Sequence, residues 1–334
     1  MITFIVRRLF ATVILLIIVS ALTYAIFFLL PRLAGVTTYD LAARYVGKIP
    51  TRSEILAMEA RLGLNEPVPV QFGRFLKAIV AGETYTNGTS KVYCPAPCLG
   101  YSWRNQQPVW PLLVSNISVT ASLAIGAAVI WLIGGVAIGI VSALKRGSFF
   151  DRLSMSTALA GVSLPIFFTG QIALLLFSYH WQIFNVTYVG ITQNPLEWAK
   201  NLILPWIVLA FLYSALYARL TRAGMLETMN EDYIRTARAK GLAERTVIFK
   251  HGLRAALTPI LTIFGMDLGL LLGGAILTEE TFSLHGLGLF TIEAINNQDL
   301  PEIMGVVLLA SFFIIIANMV VDILYAAVDP RVRL

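Results

Sequence analysis

Long uncharged apolar runs alternate with polar connectors along the chain, and each run is about as long as a membrane crossing. A spanning helix needs about 20 mostly apolar residues. Phe10 to Leu30 meets that requirement without a charge, as do Ile117 to Leu144 and Met155 to Ser178. Leu202 to Leu220 carries only Arg219 near one end, Leu257 to Leu277 is interrupted by Asp267, and Gly305 to Val328 holds Asp322 late in its length. The pattern predicts six transmembrane helices in an all-α integral membrane protein. A cleaved signal sequence would have a shorter apolar run, about 7–15 residues, so the first segment is read as a retained helix.

Two connectors are longer and patterned. Residues 31–111 form a loop long enough to fold on itself. Thr51 and Glu54 have capping-box spacing, Gly63 can end the helix they start, and a further short helix follows through Leu76. Cys94 and Cys98, the only cysteines, stand in the same loop across two prolines. A disulfide between them and a pair of free thiols both remain open, and two thiols alone are a poor metal site. The division is therefore 1–30 for the first helix, 31–111 for the loop, and 112–334 for helices two to six.

The second patterned connector covers residues 222–258. Asn230 reads as an N-cap, Glu231 and Asp232 fall in a first turn where the helix dipole favours acids, and Arg238 and Lys240 lie in the last turn before Gly241. A second short helix is expected from Glu244 to His251. The charges are interleaved with Tyr233, Ile234, Ala237, Ala239, Leu242, Val247 and Ile248. A purely solvated loop has no use for those apolar side chains, so the connector is read as a docking element.

Composition agrees with a membrane chain: 57% of residues are hydrophobic, 13% are charged and mean hydropathy is +0.76. A soluble domain carries about 25% charge. The net charge of +6 would suit nucleic acid only if it formed a patch, whereas the basic residues cluster at span ends. Arg7, Arg8, Lys145, Arg146, Arg152, Arg219, Arg222, Arg235, Arg238, Lys240, Arg245, Lys250, Arg254, Arg331 and Arg333 fall on one side, and the two short connectors of the other side hold only Lys200. The positive-inside rule then puts both termini in the cytoplasm and the 31–111 loop outside.

The residues from Tyr233 to Leu242, continuing through Lys250-His251-Gly252-Leu253-Arg254-Ala255-Ala256-Leu257-Thr258-Pro259, resemble the cytoplasmic loop of the dipeptide/oligopeptide permease family, membrane subunits of ATP-binding-cassette importers. The likeness extends over essentially the whole chain. It includes Phe4 to Leu9, Leu62-Gly63-Leu64-Asn65-Glu66-Pro67, Arg146 to Arg152, Ser163-Leu164-Pro165, Glu279, Gly286-Leu287-Gly288, Asp299 and Asp329-Pro330-Arg331. The general importer loop opens Glu-Ala-Ala, where this chain has Arg235, Thr236 and Ala237, a form the peptide subfamily tolerates.

The resemblance implies the type I importer permease fold and the role of first permease subunit, in a bacterial inner membrane. It implies four kinds of partner: a second homologous permease, two cytosolic ATPase subunits, an extracytoplasmic solute-binding protein and the lipid bilayer. ATP and magnesium would sit on the ATPases, with no cofactor on this chain, which has no Gly-x-x-x-x-Gly-Lys-Ser/Thr loop of its own. Arg235, Arg238, Lys240, Glu244 and Arg245 would be polar coupling contacts, Ala237, Ala239 and Leu242 the apolar fit, and Gly241 the stop. Asp267 is read as either lining the path or paired with a neighbouring helix, since intramembrane acids face a bundle interior or wet cavity. The glycines at 265, 269, 273 and 274 suit close helix packing. The expected cargo is di- or oligopeptide; the same architecture could instead import nickel chelates, glutathione, haem or oligosaccharides. An intramembrane enzyme would need clustered acids or histidines, and His180, His251 and His285 are scattered. A channel would have no need of the docking loop.

Overall fold

The computed structural model describes residues 2–46, 51–87 and 90–328; Arg331 and Arg333, and the side chain of Asp322, lie outside the described residues. Among the described residues, five helices are long and apolar enough to cross a membrane: Leu9–Leu33, Val109–Leu144, Pro195–Thr228, Glu244–Leu272 and Leu300–Val321. The bent pair Phe149–Ser163 and Ile166–His180 makes a sixth if taken as one span. These are numbered below as spans one, two, four, five, six and three. Span two has 36 residues, about 54 Å at 1.5 Å per residue, so it exceeds a hydrocarbon core of about 30 Å.

Prolines account for two of the departures from straight helices. Pro31 offers no N–H to the Phe27 carbonyl, and the turn before it widens to a π-helical one over Ala25–Leu29. Span three was expected to be continuous from Met155 to Ser178. Instead Leu164 is extended, at φ −90° and ψ 126°, and Pro165 caps a new helix, with a 103° bend between the two halves. The residue before a proline is driven out of the α region by the ring's Cδ.

The chain divides into two compact units. The first contains residues 1–117 and 287–312, so a segment from near the C-terminal end joins the one that a linear reading closes at residue 111. Its loop begins with Thr38–Ala43, a helix absent from the sequence reading, whose capping box pairs Thr37 with Asp40. Arg52–Arg61 starts from the expected Thr51–Glu54 box, and Val68–Ala81 follows. Leu41, Ala42, Ile55 and Leu64 form the small core beneath these helices. Two short antiparallel ribbons, which helical periodicity did not foresee, complete the loop. Glu83–Asn87 pairs with Ser90–Cys94, and Tyr101–Ser102 with Gln107–Pro108. A disulfide joins Cys94 to Cys98, their Cα atoms 5.6 Å apart. Ser102 donates to the buried Asp299 carboxylate at 2.7 Å, and burial pushes that carboxyl above its ordinary range.

The second unit contains residues 118–286 and 313–334. Its core is centred on Leu123, Trp131, Leu209, Tyr217, Ile260 and Leu284. Small residues let its helices approach closely. A Cβ on Gly139 would lie 2.6 Å from the Ala218 carbonyl oxygen, and one on Gly265 would lie 1.9 Å from Val321 Cγ2. Gly265 and Gly269 thus form the close-packing stripe expected on span five, whereas Gly273 and Gly274 end that helix before the separate short helix Ile276–Thr281. Span five accordingly stops at Leu272 rather than Leu277.

Candidate functional site

The connector between spans four and five folds as a short helix, Asp232–Ala239. Its N-cap is Glu231, at φ −68° and ψ 150°, rather than Asn230. The Asn230 amide turns back to donate to the Leu226 carbonyl at 2.8 Å, and the helix begins one residue later than an Asn230 cap would set. At the other end Lys240 is the C-cap and Gly241 takes φ +73°. The Gly241 N–H donates to Arg238 O at 2.9 Å and the Leu242 N–H to Ala237 O at 3.4 Å, the paired bonds of a Schellman ending.

The helix has two faces. Ile234, Ala237 and Val247 are buried together against Met229, so Ala237 packs within its own chain. Tyr233, Arg235, Arg238, Ala239, Lys240, Leu242, Glu244 and Arg245 are all exposed. Arg238 reaches across the Gly241 turn to hold Glu244 with two bonds, Nη2 to Oε1 at 2.7 Å and Nε to Oε2 at 3.2 Å. The Glu244 carboxylate keeps the Arg238 guanidinium more firmly protonated than usual, and partial burial raises the Tyr233 phenol. Arg235 pairs more loosely with Asp232, at 3.6 Å. The second helix expected at Glu244 to His251 is instead the start of span five, which runs through a π-helical turn at Val247–Gly252 into Leu253–Leu272. The short helix is therefore buttressed by the first turns of a span, through the Val247 contact and the Arg238–Glu244 bridge.

A second element steadies this end of the unit, and the sequence reading did not single it out. Asp151, at the start of span three, receives Arg222 of span four in a two-pronged bridge, Nε to Oδ1 at 2.7 Å and Nη2 to Oδ2 at 2.9 Å. It also accepts from Ser142 Oγ, and from the Gly147 N–H at 2.8 Å. The turn between spans two and three is thereby tied to the helix that leads into the connector. An acid standing alone among Lys145, Arg146 and Arg152 was the available signal.

Asp267 lies on span five, partly buried, and accepts a hydrogen bond from Tyr217 of span four at 2.8 Å. Trp131 stacks on Tyr213 with ring centres 4.6 Å apart, and Phe264 stands 6.1 Å from the same indole. The acid therefore has a polar partner on a neighbouring helix. Among the described residues no group of three His, Cys, Asp or Glu could hold a metal ion.

The family described as "Binding-protein-dependent transport system inner membrane component" matches residues 135–334, and the N-terminal family described as "Binding-prot-dependent transport system membrane comp, N-term" matches residues 1–124. The chain belongs to this transport family. Among relatives, it is 37% identical to the dipeptide transport system permease protein DppB of Alkalihalophilus pseudofirmus, over all of both chains. It is 35% identical to the protein of the same name from Escherichia coli K12, over 100% of this chain and 99% of the relative. A putative peptide transport system permease protein of Brucella abortus is 37% identical over 98% of each. Among solved structures, the inward-facing MetNI methionine ABC transporter superposes with a TM-score of 0.51 and 15% identity, covering 66% of this chain and 97% of that one. That likeness is one of fold, the type I importer permease arrangement. As a member of the family the chain is a multi-pass inner-membrane permease component of an ABC transporter, a transport subunit, with ATP hydrolysis carried out by separate subunits.

Proposed function

We propose that this chain is one permease subunit of an ATP-driven importer of di- or oligopeptides, forming half of the translocation path beside a second homologous permease. The observation that carries the coupling role is the two-faced helix Asp232–Ala239, pinned by Ile234 and Ala237 on one side and presenting Tyr233, Arg235, Lys240 and Leu242 on the other. Such a helix fits a cleft on a cytosolic ATPase subunit. Because Val247 and the Arg238–Glu244 bridge join it to span five, closure of an ATPase pair on ATP would pass to spans four and five as a rigid displacement. That is a two-state element biased by differential contacts.

In this reading both termini and the 222–258 connector are cytoplasmic, and the 31–111 loop faces an extracytoplasmic solute-binding protein. ATP and magnesium are held by the two ATPase subunits. Asp267 lines the path near the membrane centre, its carboxylate available to a substrate ammonium when Tyr217 turns away. The relatives named for dipeptide and peptide transport support peptide as the cargo.

The test is affinity purification of the tagged chain in mild detergent with mass spectrometry of what accompanies it. Two ATPase chains, a second permease and a solute-binding protein are expected, and peptides should displace the natural ligand of that binding protein. Recovery of the chain alone would refute the assembly. A binding protein selective for nickel chelates, glutathione, haem or oligosaccharides would refute the cargo.

A further inference from the structure

The first unit contains a cavity of about 360 Å³, within the roughly 300–1,000 Å³ typical of small-molecule sites. Its floor is aromatic and hydroxyl-bearing, with Tyr24, Tyr45, Tyr85, Tyr101 and Trp103 all contributing. Charges of both signs stand at its edge. Arg61 is exposed there and makes no ion pair among the described residues, while Arg74, also lining it, is already held by Glu66. Glu83 lines it as well and accepts a hydrogen bond from Tyr85 at 3.0 Å. Leu41, Leu62, Leu64, Leu99, Leu300 and Met304 supply aliphatic wall beside the rings. A free guanidinium and a carboxylate next to that apolar lining suit a compact zwitterion with an apolar side chain.

We infer that this cavity binds a short peptide, Arg61 taking its terminal carboxylate, Glu83 its ammonium, and the tyrosines and Trp103 its apolar side chain. This rests on the peptide-importer reading and adds a site on the permease itself, separate from the membrane path. The residues that build it come from span one, the helix Thr38–Ala43 and Tyr45 after it, the helices Arg52–Arg61 and Val68–Ala81, the strand Glu83–Asn87, the segment 99–103 and the start of span six. The cavity therefore exists only when the 31–111 loop is folded.

The experiment uses the full chain in lipid nanodiscs without any solute-binding protein, titrated calorimetrically with the dipeptide Ala-Phe. The comparison ligand is the same dipeptide acetylated at its amine and amidated at its carboxyl. Charge-assisted hydrogen bonds are strong enough that loss of one weakens binding by roughly tenfold or more. Ala-Phe should bind at least about tenfold more tightly than its doubly blocked form. Arg61→Gln should weaken Ala-Phe to a similar degree, with Arg61→Lys recovering part of the loss. Glu83→Gln should weaken the free-amine peptide and leave the N-acetylated one unchanged. Retention of the Cys94–Cys98 disulfide and of the wild-type elution volume checks that each variant is folded.

Equal binding of free and blocked peptides, or no binding by folded wild-type chain, overturns the inference. So does a phospholipid that copurifies with the wild-type chain and is lost in Arg61→Gln. A chain that recruits ATPases but binds no Ala-Phe overturns this inference alone, whereas one that binds Ala-Phe and recruits no ATPase overturns the transport assembly.

Discussion

Gly241 is the position where a small change in backbone has the largest expected effect on coupling. Its φ of +73° lies in the left-handed region, yet a Cβ added there would meet nothing within 4 Å. Substitution therefore tests backbone conformation with no steric clash. Left-handed backbone costs an ordinary L-residue about 1–2 kcal/mol, and Asn less because its side chain bonds locally. At 1.4 kcal/mol per factor of ten, Gly241→Ala would lower the population of the formed turn about 5- to 30-fold relative to a competing unwound ending. Gly241→Pro is more severe. Its ring fixes φ near −65° and it removes the N–H that donates to Arg238 O at 2.9 Å. The turn also sets the approach of Arg238 to Glu244, so losing it releases the bridge that joins the short helix to span five. The assay is reconstitution with ATPase subunits, partner permease and binding protein in proteoliposomes, reading ATP hydrolysis and peptide uptake together. Uptake per ATP should fall in the order glycine, asparagine, alanine, proline, with the proline variant inserted normally but uncoupled. Wild-type uptake by Gly241→Pro, or no difference between the asparagine and alanine variants, would refute the rigid-lever reasoning.

Gly265→Ala places a methyl 1.9 Å from Val321 Cγ2 and should destabilise the chain by about 1–3 kcal/mol as overpacking. Adding Val321→Ala should recover most of it, read as the unfolding midpoint in detergent. Arg222→Ala should lower that midpoint by leaving Asp151 without its two-pronged partner, and the pair Arg222→Ala with Asp151→Ala should lower it less, because the uncompensated charge is then gone. Asp40 and Glu54 accept the cap hydrogen bonds of Thr37 and Thr51, which lowers both carboxyls below their ordinary range. A folded-state value below the unfolded one stabilises above the unfolded value and is lost as pH falls through the folded one. Proteolysis of the 31–111 loop should therefore accelerate on acidification through and below the usual carboxylate range, and Thr51→Ala, costing about 1 kcal/mol, should already show part of that acceleration at neutral pH.

The spans were legible because apolar length is a one-dimensional signal: a run such as Phe10 to Leu30 has no soluble alternative. The cap signals were legible for the same reason. Thr51 with Glu54, and Gly241 after a basic turn, are local chemistry that tertiary contacts left alone. The break at Leu164–Pro165 was visible as a proline and still misread, because the run around it is uncharged and hydropathy does not register backbone direction. Asn230 is not the cap although its residue type is favoured there: its amide bonds back to the Leu226 carbonyl of the preceding helix, and the short helix starts one residue later. The ribbons of the 31–111 loop were missed because strands of two to five residues carry too few positions for alternation to stand out.

The division of labour within the connector could not have been read from the sequence, and it changes the functional reading most. Interleaved apolar residues in a charged loop imply that something covers them, and Ile234, Ala237 and Val247 turn out to cover one another. Apolar content alone therefore overstates the surface available to a partner. What remains outward is a mixed face: the Tyr233 ring at 45% exposure, Leu242 at 42% and Phe249 at 52%, among Arg235, Lys240 and Arg245. Three large exposed apolar side chains on so short a segment are what an interface core requires, with basic residues as its rim. Ala237 then acts by holding the helix to span five. Enlarging it should free the lever from the span, while truncating Leu242 should weaken the grip on the ATPase. The two defects separate experimentally: Ala237→Leu should leave ATPase recruitment intact and lose uptake, and Leu242→Ala should lose recruitment itself.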